Sequence, residues 1–389
     1  MMNIVVNSRS MVSELIFTNA TVVTRERAFT GTLRVADGVI RDVDEGRSSL
    51  PHAVDCEGDY LIPGLVDIHT DNLEKHLEPR PGVKWPGLAA FQVHDRMLAT
   101  AGVTTVFDSL VVGDMHLGKP GRQGALDLAK DVLAASIDDD LMKADHRLHI
   151  RAEVASDTVM NELANIIDHP LVALVSVMDH TPGQRQWRNL DKWKKVYSRV
   201  YTAAELDAQI DGLIERQKNY SAQNRQAVIG EARKRGIPLA SHDDTTAEHV
   251  AQGHQEGILI SEFPTTLDAA RAAHAHGMKT IMGSPNIVKG GSHSGNVAAA
   301  DLAEAGLLDG LASDYVPISM IHSAFILVDN HGIALPDAVA MVTAEPAAMA
   351  GLTDRGEITP GKSADLVRVK SYQDLPTIMG VWRRGRQVA

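Results

Sequence analysis

The sequence predicts an α/β fold, a (β/α)8 TIM-type barrel with a small β domain made from both chain ends. Three observations predict it. The middle of the chain alternates short, near-continuously apolar runs with helical segments. Both ends carry short segments in which apolar and polar residues alternate. The length, 389 residues, suits one large barrel plus a satellite domain better than one small core.

The end segments ELIFTNATVV and GTLRVADGVIRDV read as strands, and the V-A-D-G-V turn in the second is expected of a β-hairpin. ADLVRVK and GVWRRGRQVA look alike at the other end. Residues 1–61 and 355–389 are therefore expected to pair into the small domain, leaving 62–354 for the barrel. Eight barrel strands are expected: Gly64–His69, Val103–Leu110, Leu148–Val154, Val172–His180, Ile237–His242, Ile258–Phe263, Thr280–Gly283 and Gly310–Asp314. Their apolar character indicates parallel strands buried on both faces. GRQGALDLAKDVLAAS, TTLDAARAAHAHG and LPDAVAMVTAEPAAMAG supply helices between them. A long charged insert at 181–236 is either an outer helix pair or oligomer contact, or a lid that brings cations to the site.

Composition narrows the function. Hydrophobic residues at 44% and charged residues at 23% indicate a soluble globular protein, and aromatics at 4% indicate a core of Val, Ile, Leu and Ala. A formal net charge of −12 argues against nucleic-acid and anionic-membrane partners. A phosphorylated small-molecule substrate would need its cations locally. The lone Cys56 excludes an internal disulfide and a thiolate zinc cluster. No apolar run is long enough to span a bilayer and no secretory signal is visible, so a cytoplasmic location is expected. Met11 is an alternative start.

Barrel active sites lie at the C-terminal strand ends. The expected strands end in GLVDIHTDN, HIRAEV, VSVMDH, ASHDD and ASDY, a recurring set of His and carboxylate that binds zinc or a similar divalent ion. His69 and Asp71 are two apart, so they point to one side of a strand and reach one ion. His180 and His242 approach from other strands. Glu153 is the candidate bridge between two ions; alone, it could pair with Arg151 or another base. Asp314 is a candidate ligand and the candidate catalytic base. Taken singly, each is as well read as a hydrogen-bonded strand-end residue; together they form a site. His249, His254, His274 and His276 fall on helical segments, and His94 and His116 lack a strand-end position, so these are left out.

No G-x-x-x-x-G-K-[ST] loop is present, which excludes a P-loop cradle. The substrate-binding candidates trail two strands instead: Lys75, His76, Arg80 and Lys84 after the first, and Lys289, Gly291, Ser292 and His293 after the seventh. The second group lies in a Gly- and Ser-rich loop whose backbone N–H groups could hold a phosphate. A loop lysine is commonly a solvated charge; these gain weight because both loops lie on the expected active face.

LIPGLVDIHTD resembles the first-strand signature of the amidohydrolase superfamily, and TAEPAAMAGLTDRGEITPGKSADLV resembles its closing signature. The usual His-x-His is here His69-Thr70-Asp71, and no lysine ends the fourth strand. HTDNLEKHLEPRPGVKWP, SHDDTT, SEFPTT and MGSPNIVKGGSHSGN further resemble the phosphonate-metabolism hydrolases of the carbon–phosphorus lyase pathway. That resemblance implies a diphosphatase using one or two divalent ions, zinc foremost. It implies hydrolytic attack on the α-phosphorus of a ribose 1-methylphosphonate 5-triphosphate, with pyrophosphate leaving. The strand-end cluster by itself fits an amidase, deaminase or cyclic-amide hydrolase equally. A non-catalytic scaffold subunit is the remaining alternative, and a homo-oligomer is compatible with each.

Overall fold

The computed structural model of the chain describes residues 14–389 apart from 81, 114–126, 128, 131, 133, 135–140, 199–200 and 293–294. Met11, His116, His293, most of the expected helix at 121–136 and the first part of the expected small domain lie outside the described residues. In chain order the strands are β1 (Leu15–Val23), β2 (Ala28–Ala36), β3 (Val39–Glu45), β4 (Val54–Asp55), β5 (Tyr60–Pro63), β6 (Leu65–Thr70), β7 (Val103–Val112), β8 (Asp145–Glu153), β9 (Val172–Met178), β10 (Leu239–His242), β11 (Ile260–Glu262), β12 (Lys279–Gly283), β13 (Gly310–Ala312), β14 (Leu366–Tyr372), β15 (Leu375–Arg383) and β16 (Arg386–Gln387).

Strands β6 to β13 form the barrel wall in sequence order, each parallel to its neighbour. These are the eight strands the apolar runs predict. All residues of β6 and β10 are buried, as strands with covered faces require. Inward-facing Val66, Ile68, Phe107, Leu174, Ala240, Ile260, Ile281 and Ala312 fill the barrel. Closure falls between β13 and β6. There the Asp314 N–H donates to the His69 carbonyl at 3.0 Å, and the Asp71 N–H donates to the Asp314 carbonyl at 2.7 Å. The hydrogen bonds that close the wall therefore run through three of the candidate site residues.

The two chain ends form a second sheet, in the order β16-β15-β14-β5-β1-β2-β3 with β4 beside β1. β14 from the C-terminal end pairs antiparallel with β5, and β5 runs parallel to β1. Phe17, Leu33, Ile40, Leu61, Leu366 and Trp382 share its core, with the Phe17 and Trp382 rings edge to face at 4.8 Å. The expected hairpin joins β2 to β3 through Asp37 and Gly38, at φ of 54° and 75°. Two positive φ angles match the twist of the flanking strands.

The insert begins as a short turn at Arg185–Trp187 and continues as helices Leu190–Tyr197 and Ala203–Lys234. Thr202 and Glu205 form a capping box at the start of the long helix. Trp193, Leu206, Ile210 and Leu213 pack together with Ala155. Farther along, Asn224 donates to the carbonyls of Val154 and Ser156, at 2.9 and 2.7 Å. The insert is thus tied to the barrel just beyond β8.

A buried polar ladder fastens helix Gly87–Thr100 to the barrel's outer wall. His94 Nε2 donates to Asp108 Oδ1 at 2.6 Å. His146 donates through Nδ1 to Asp108 Oδ2 at 2.8 Å and through Nε2 to Asp95 Oδ1 at 3.1 Å. Burial disfavours a charged His146, but Asp108 and Asp95 outweigh it and lift its pKa to about 9. Because the folded value exceeds the ordinary one near 6.5, the stabilisation is complete below that pH and is lost as pH rises through 9. Urea unfolding should therefore show a stability loss on the order of 3 kcal/mol between pH 6 and pH 9.5. Asp108→Asn should flatten that dependence; an unchanged slope in the variant would assign it elsewhere.

Candidate active site

Three strand ends turn sharply where they reach the mouth of the barrel. Asp243, Phe263 and Asp314 follow β10, β11 and β13 with φ of 57°, 53° and 55°. The left-handed region costs a residue with a Cβ roughly 1–2 kcal/mol, and a phenylalanine there is rare. Such strain persists where the surroundings enforce it, commonly at functional sites. Gly283, at the end of β12, makes room for Asp314: a Cβ there would stand 3.2 Å from Asp314 Oδ2.

Glu262 at the end of β11 organises the floor. His69 Nδ1 donates to Glu262 Oε1 at 2.9 Å, and His242 Nδ1 donates to Oε2 at 3.1 Å. One carboxylate thus holds two imidazoles by their Nδ1 atoms, leaving Nε2 for other partners. Burial pushes the Glu262 carboxyl up, but His69, His149 and the hydrogen bonds from both rings hold it well below the usual carboxylate range. His149 lies below, bonded to Ser176 Oγ at 2.9 Å, and burial lowers its pKa to about 3.

Above this floor lie two groups of donor atoms. His69, Asp71 and Asp314 form the first, and His180, His242 and Asp243 the second. In the second, Asp243 Oδ2 stands 3.6 Å from His242 Nε2 and 3.7 Å from His180 Nε2. These are too long for hydrogen bonds, and this buried oxygen has no hydrogen-bond partner among the described residues. Donors about 2.1 Å from a shared tetrahedral ion stand about 3.4 Å apart, so the second group fits a divalent ion. In the first group, His69 Nε2 and Asp71 Oδ1 are 3.7 Å apart, while Asp71 Oδ1 also accepts from Arg151 Nη1 at 2.7 Å. Burial lifts the Asp314 carboxyl above its ordinary range.

Both groups open into one cavity of 690 Å³. Of the expected residues, His69, Asp71, His180, His242, Asp314, Lys75, Lys289, Gly291 and Ser292 line it. Glu153 does not. Its Oε2 accepts from His180 Nδ1 at 2.8 Å and its Oε1 from the His180 N–H at 3.1 Å, which ties it to the second group and not between the two. Arg151, considered as its partner, pairs with Asp71 instead. His76, Arg80 and Lys84 also lie off the cavity wall. Lys75 and His76 are adjacent on the short helix Asn72–Leu77, and a helix rotates about 100° per residue. Lys75 therefore faces the cavity, with its Nζ donating to the Tyr315 carbonyl at 2.8 Å, while His76 turns to the His94 ring, 5.7 Å away between centroids. The helix ends at Leu77, and Arg80 and Lys84 are exposed on the loop beyond it.

The strand-end reading passed over Asp243, Glu262, Arg151 and Gln186. Glu262 ends the sixth barrel strand and was within reach of the same rule. Gln186 comes from the insert, whose position over the cavity no local pattern announces. Its neighbour Arg185, 7% exposed and at φ 40°, donates through Nη1 to the His242 carbonyl at 2.8 Å and to Asp244 Oδ1 at 2.7 Å.

A model of the amidohydrolase family matches residues 180–389. The chain is 43% identical over 380 residues to the alpha-D-ribose 1-methylphosphonate 5-triphosphate diphosphatase of Escherichia coli (strain K12), covering 96% of this chain and 100% of the relative. An adenine deaminase of Nitratidesulfovibrio vulgaris (strain DP4) is 25% identical over 352 residues, covering 86% of this chain and 51% of that one. Among solved structures, N-acetyl-D-glucosamine-6-phosphate deacetylase from Mycobacterium smegmatis superposes with a TM-score of 0.64 at 16% identity, covering 97% of this chain and 100% of that one. 5-Methylcytosine deaminase from Klebsiella pneumoniae gives 0.62 at 16% identity, covering 97% and 98%. These two likenesses concern the fold.

Arg185→Ala should release the backbone at His242 and leave Asp244 short of its cation. Outer partners of this kind are worth 10- to 100-fold in ion affinity. Calorimetric titration of the metal-stripped protein with zinc should show a loss of about that size. Arg185→Lys should recover part of it.

Proposed function

The chain belongs to the amidohydrolase family, and we propose that it is a metal-dependent diphosphatase cleaving α-D-ribose 1-methylphosphonate 5-triphosphate to the 5-phosphate and pyrophosphate in phosphonate catabolism. The supporting observation is one cavity that carries both ligand groups together with Lys75, Arg151 and Lys289. In a chain of net charge −12, those cations give a polyphosphate the local partners it needs. The extent of the likeness to the E. coli diphosphatase supports the same reading.

His69, Asp71, Glu153, His180, His242 and Asp314 are the candidate ligands, and the geometry adds Asp243. Their nitrogen and oxygen donors suit zinc. A bound divalent ion lowers the pKa of water toward neutrality and neutralises phosphoryl oxygens. The chain's own residues do the rest. Lys75 and Arg151 hold phosphate oxygens on one side of the cavity, and Lys289 with the loop through Gly291 and Ser292 holds them on the other. Asp314 takes the proton of the attacking water. The new bond forms between water oxygen and the α-phosphorus, the α–β bridging bond breaks, and pyrophosphate leaves with its electron pair. Glu262 keeps His69 and His242 from rotating during this step. No described helix is long and apolar enough to cross a membrane. The buried, unpaired Cys56 favours a reducing, cytoplasmic setting.

Purified, zinc-loaded protein should release one pyrophosphate per ribose 5-triphosphate consumed. Turnover of adenine or a cyclic amide with no pyrophosphate from the triphosphate would instead favour the deaminase-type chemistry of the more distant relatives. Asp314→Asn should lower kcat for the triphosphate by about 10²–10⁴-fold, the usual contribution of a positioned base.

A further inference from the structure

Arg151 is buried to 7% exposure at the end of β8, on the cavity wall. Its guanidinium spans the two ligand groups. Nη1 donates to Asp71 Oδ1 at 2.7 Å, and Nη2 donates to His242 Nε2 at 3.4 Å. Its Nε, also buried, has no hydrogen-bond partner among the described residues. The guanidinium engages the two groups unequally: its bond to Asp71 is a short, charge-assisted one, while its contact with His242 Nε2 is long and can be displaced by an ion. In the first, the Asp71 oxygen nearest His69 already carries a permanent cation. In the second, Asp243 Oδ2 lies between two imidazole nitrogens with nothing bonded to it.

We propose that the centre takes one divalent ion, at His180, His242 and Asp243, and that Arg151 stands in for a second ion over Asp71. Asp71 in place of a second histidine on β6 agrees with this, since a carboxylate at that position binds arginine by a charge-assisted hydrogen bond and an imidazole does not. Arginine cannot lose its proton in this range, so the positive charge is permanent, unlike that of an exchangeable ion. With substrate bound, the guanidinium on the cavity wall lies beside the phosphoryl oxygens that gain charge as pyrophosphate departs. That substrate role rests on the diphosphatase reading; the ion count does not.

The test is a zinc titration of the metal-stripped, full-length protein by calorimetry, with metal content measured independently. One zinc per chain is expected. Asp243→Asn should weaken it at least tenfold, while Asp71→Asn, which still accepts from Arg151, should change it less than about threefold. Two zinc ions per wild-type chain, or equal losses in both variants, would overturn the proposal. Arg151→Met should keep the zinc and the thermal unfolding midpoint but lose about 10²–10³-fold in kcat on the triphosphate, with Arg151→Lys recovering part. An Arg151→Met protein of unchanged kcat would also overturn it. The ion count is read without substrate, so a chain that fails to cleave the triphosphate still answers it.

Discussion

Glu262 is held between two imidazoles on the barrel axis, with each carboxylate oxygen accepting from one Nδ1. Fully buried, it would be costly alone, because an ionised carboxylate out of water must be paired and hydrogen-bonded. Here both conditions are met by groups from β6 and β10, two strands that are not neighbours. The interaction therefore does two things at once. It sets the orientation of His69 and His242, and it links opposite parts of the wall through the barrel's interior. The rest of the mouth is built on those two fixed rings: His69 beside Asp71, His242 beside Asp243, and Arg151 reaching from one side to the other.

The wall and the site are also coupled through the backbone. β13 is short, and the barrel closes beyond its end through Asp314 hydrogen bonds to His69 and Asp71. The left-handed turn at Asp314 lets one residue both close the ring of strands and present a carboxylate to the cavity. The turn at Asp243 does the corresponding service beside His242. The backbone bonds that close the barrel and the candidate ligands thus belong to the same residues. Arg185 extends the coupling outward, since a single nitrogen from the insert holds the His242 carbonyl and the Asp244 carboxylate. The insert's long helix packs against the barrel, while its first turn places Gln186 on the cavity wall and Arg185 against the His242 backbone.

The eight barrel strands were legible because burial on both faces demands continuous apolar runs, which survive in the sequence without any knowledge of partners. His69, His180, His242 and Asp314 were legible for a related reason: in a parallel barrel, polar residues directly after such runs must face the active end. Other placements were not legible, because a spatial neighbour decided them. His76 and Lys75 are adjacent in sequence, yet the helix turns one to the cavity and the other to His94. Glu153 has the right position for a bridge, but His180 is the closer partner. Arg151 shares a strand with Glu153, yet it pairs with Asp71, just past the end of β6.

What the sequence by itself determined was the barrel, its order, the active end and the kinds of donor gathered there. Those follow from periodicity and from which residue types follow each strand, and both are local properties. Only the tertiary structure decided how the donors are divided: Glu262 under two rings, Asp243 unpartnered between two nitrogens, and Asp71 already bound to Arg151. Those pairings join residues up to 193 positions apart. They depend on how closely side chains from different strands approach, and no pattern along the chain encodes that.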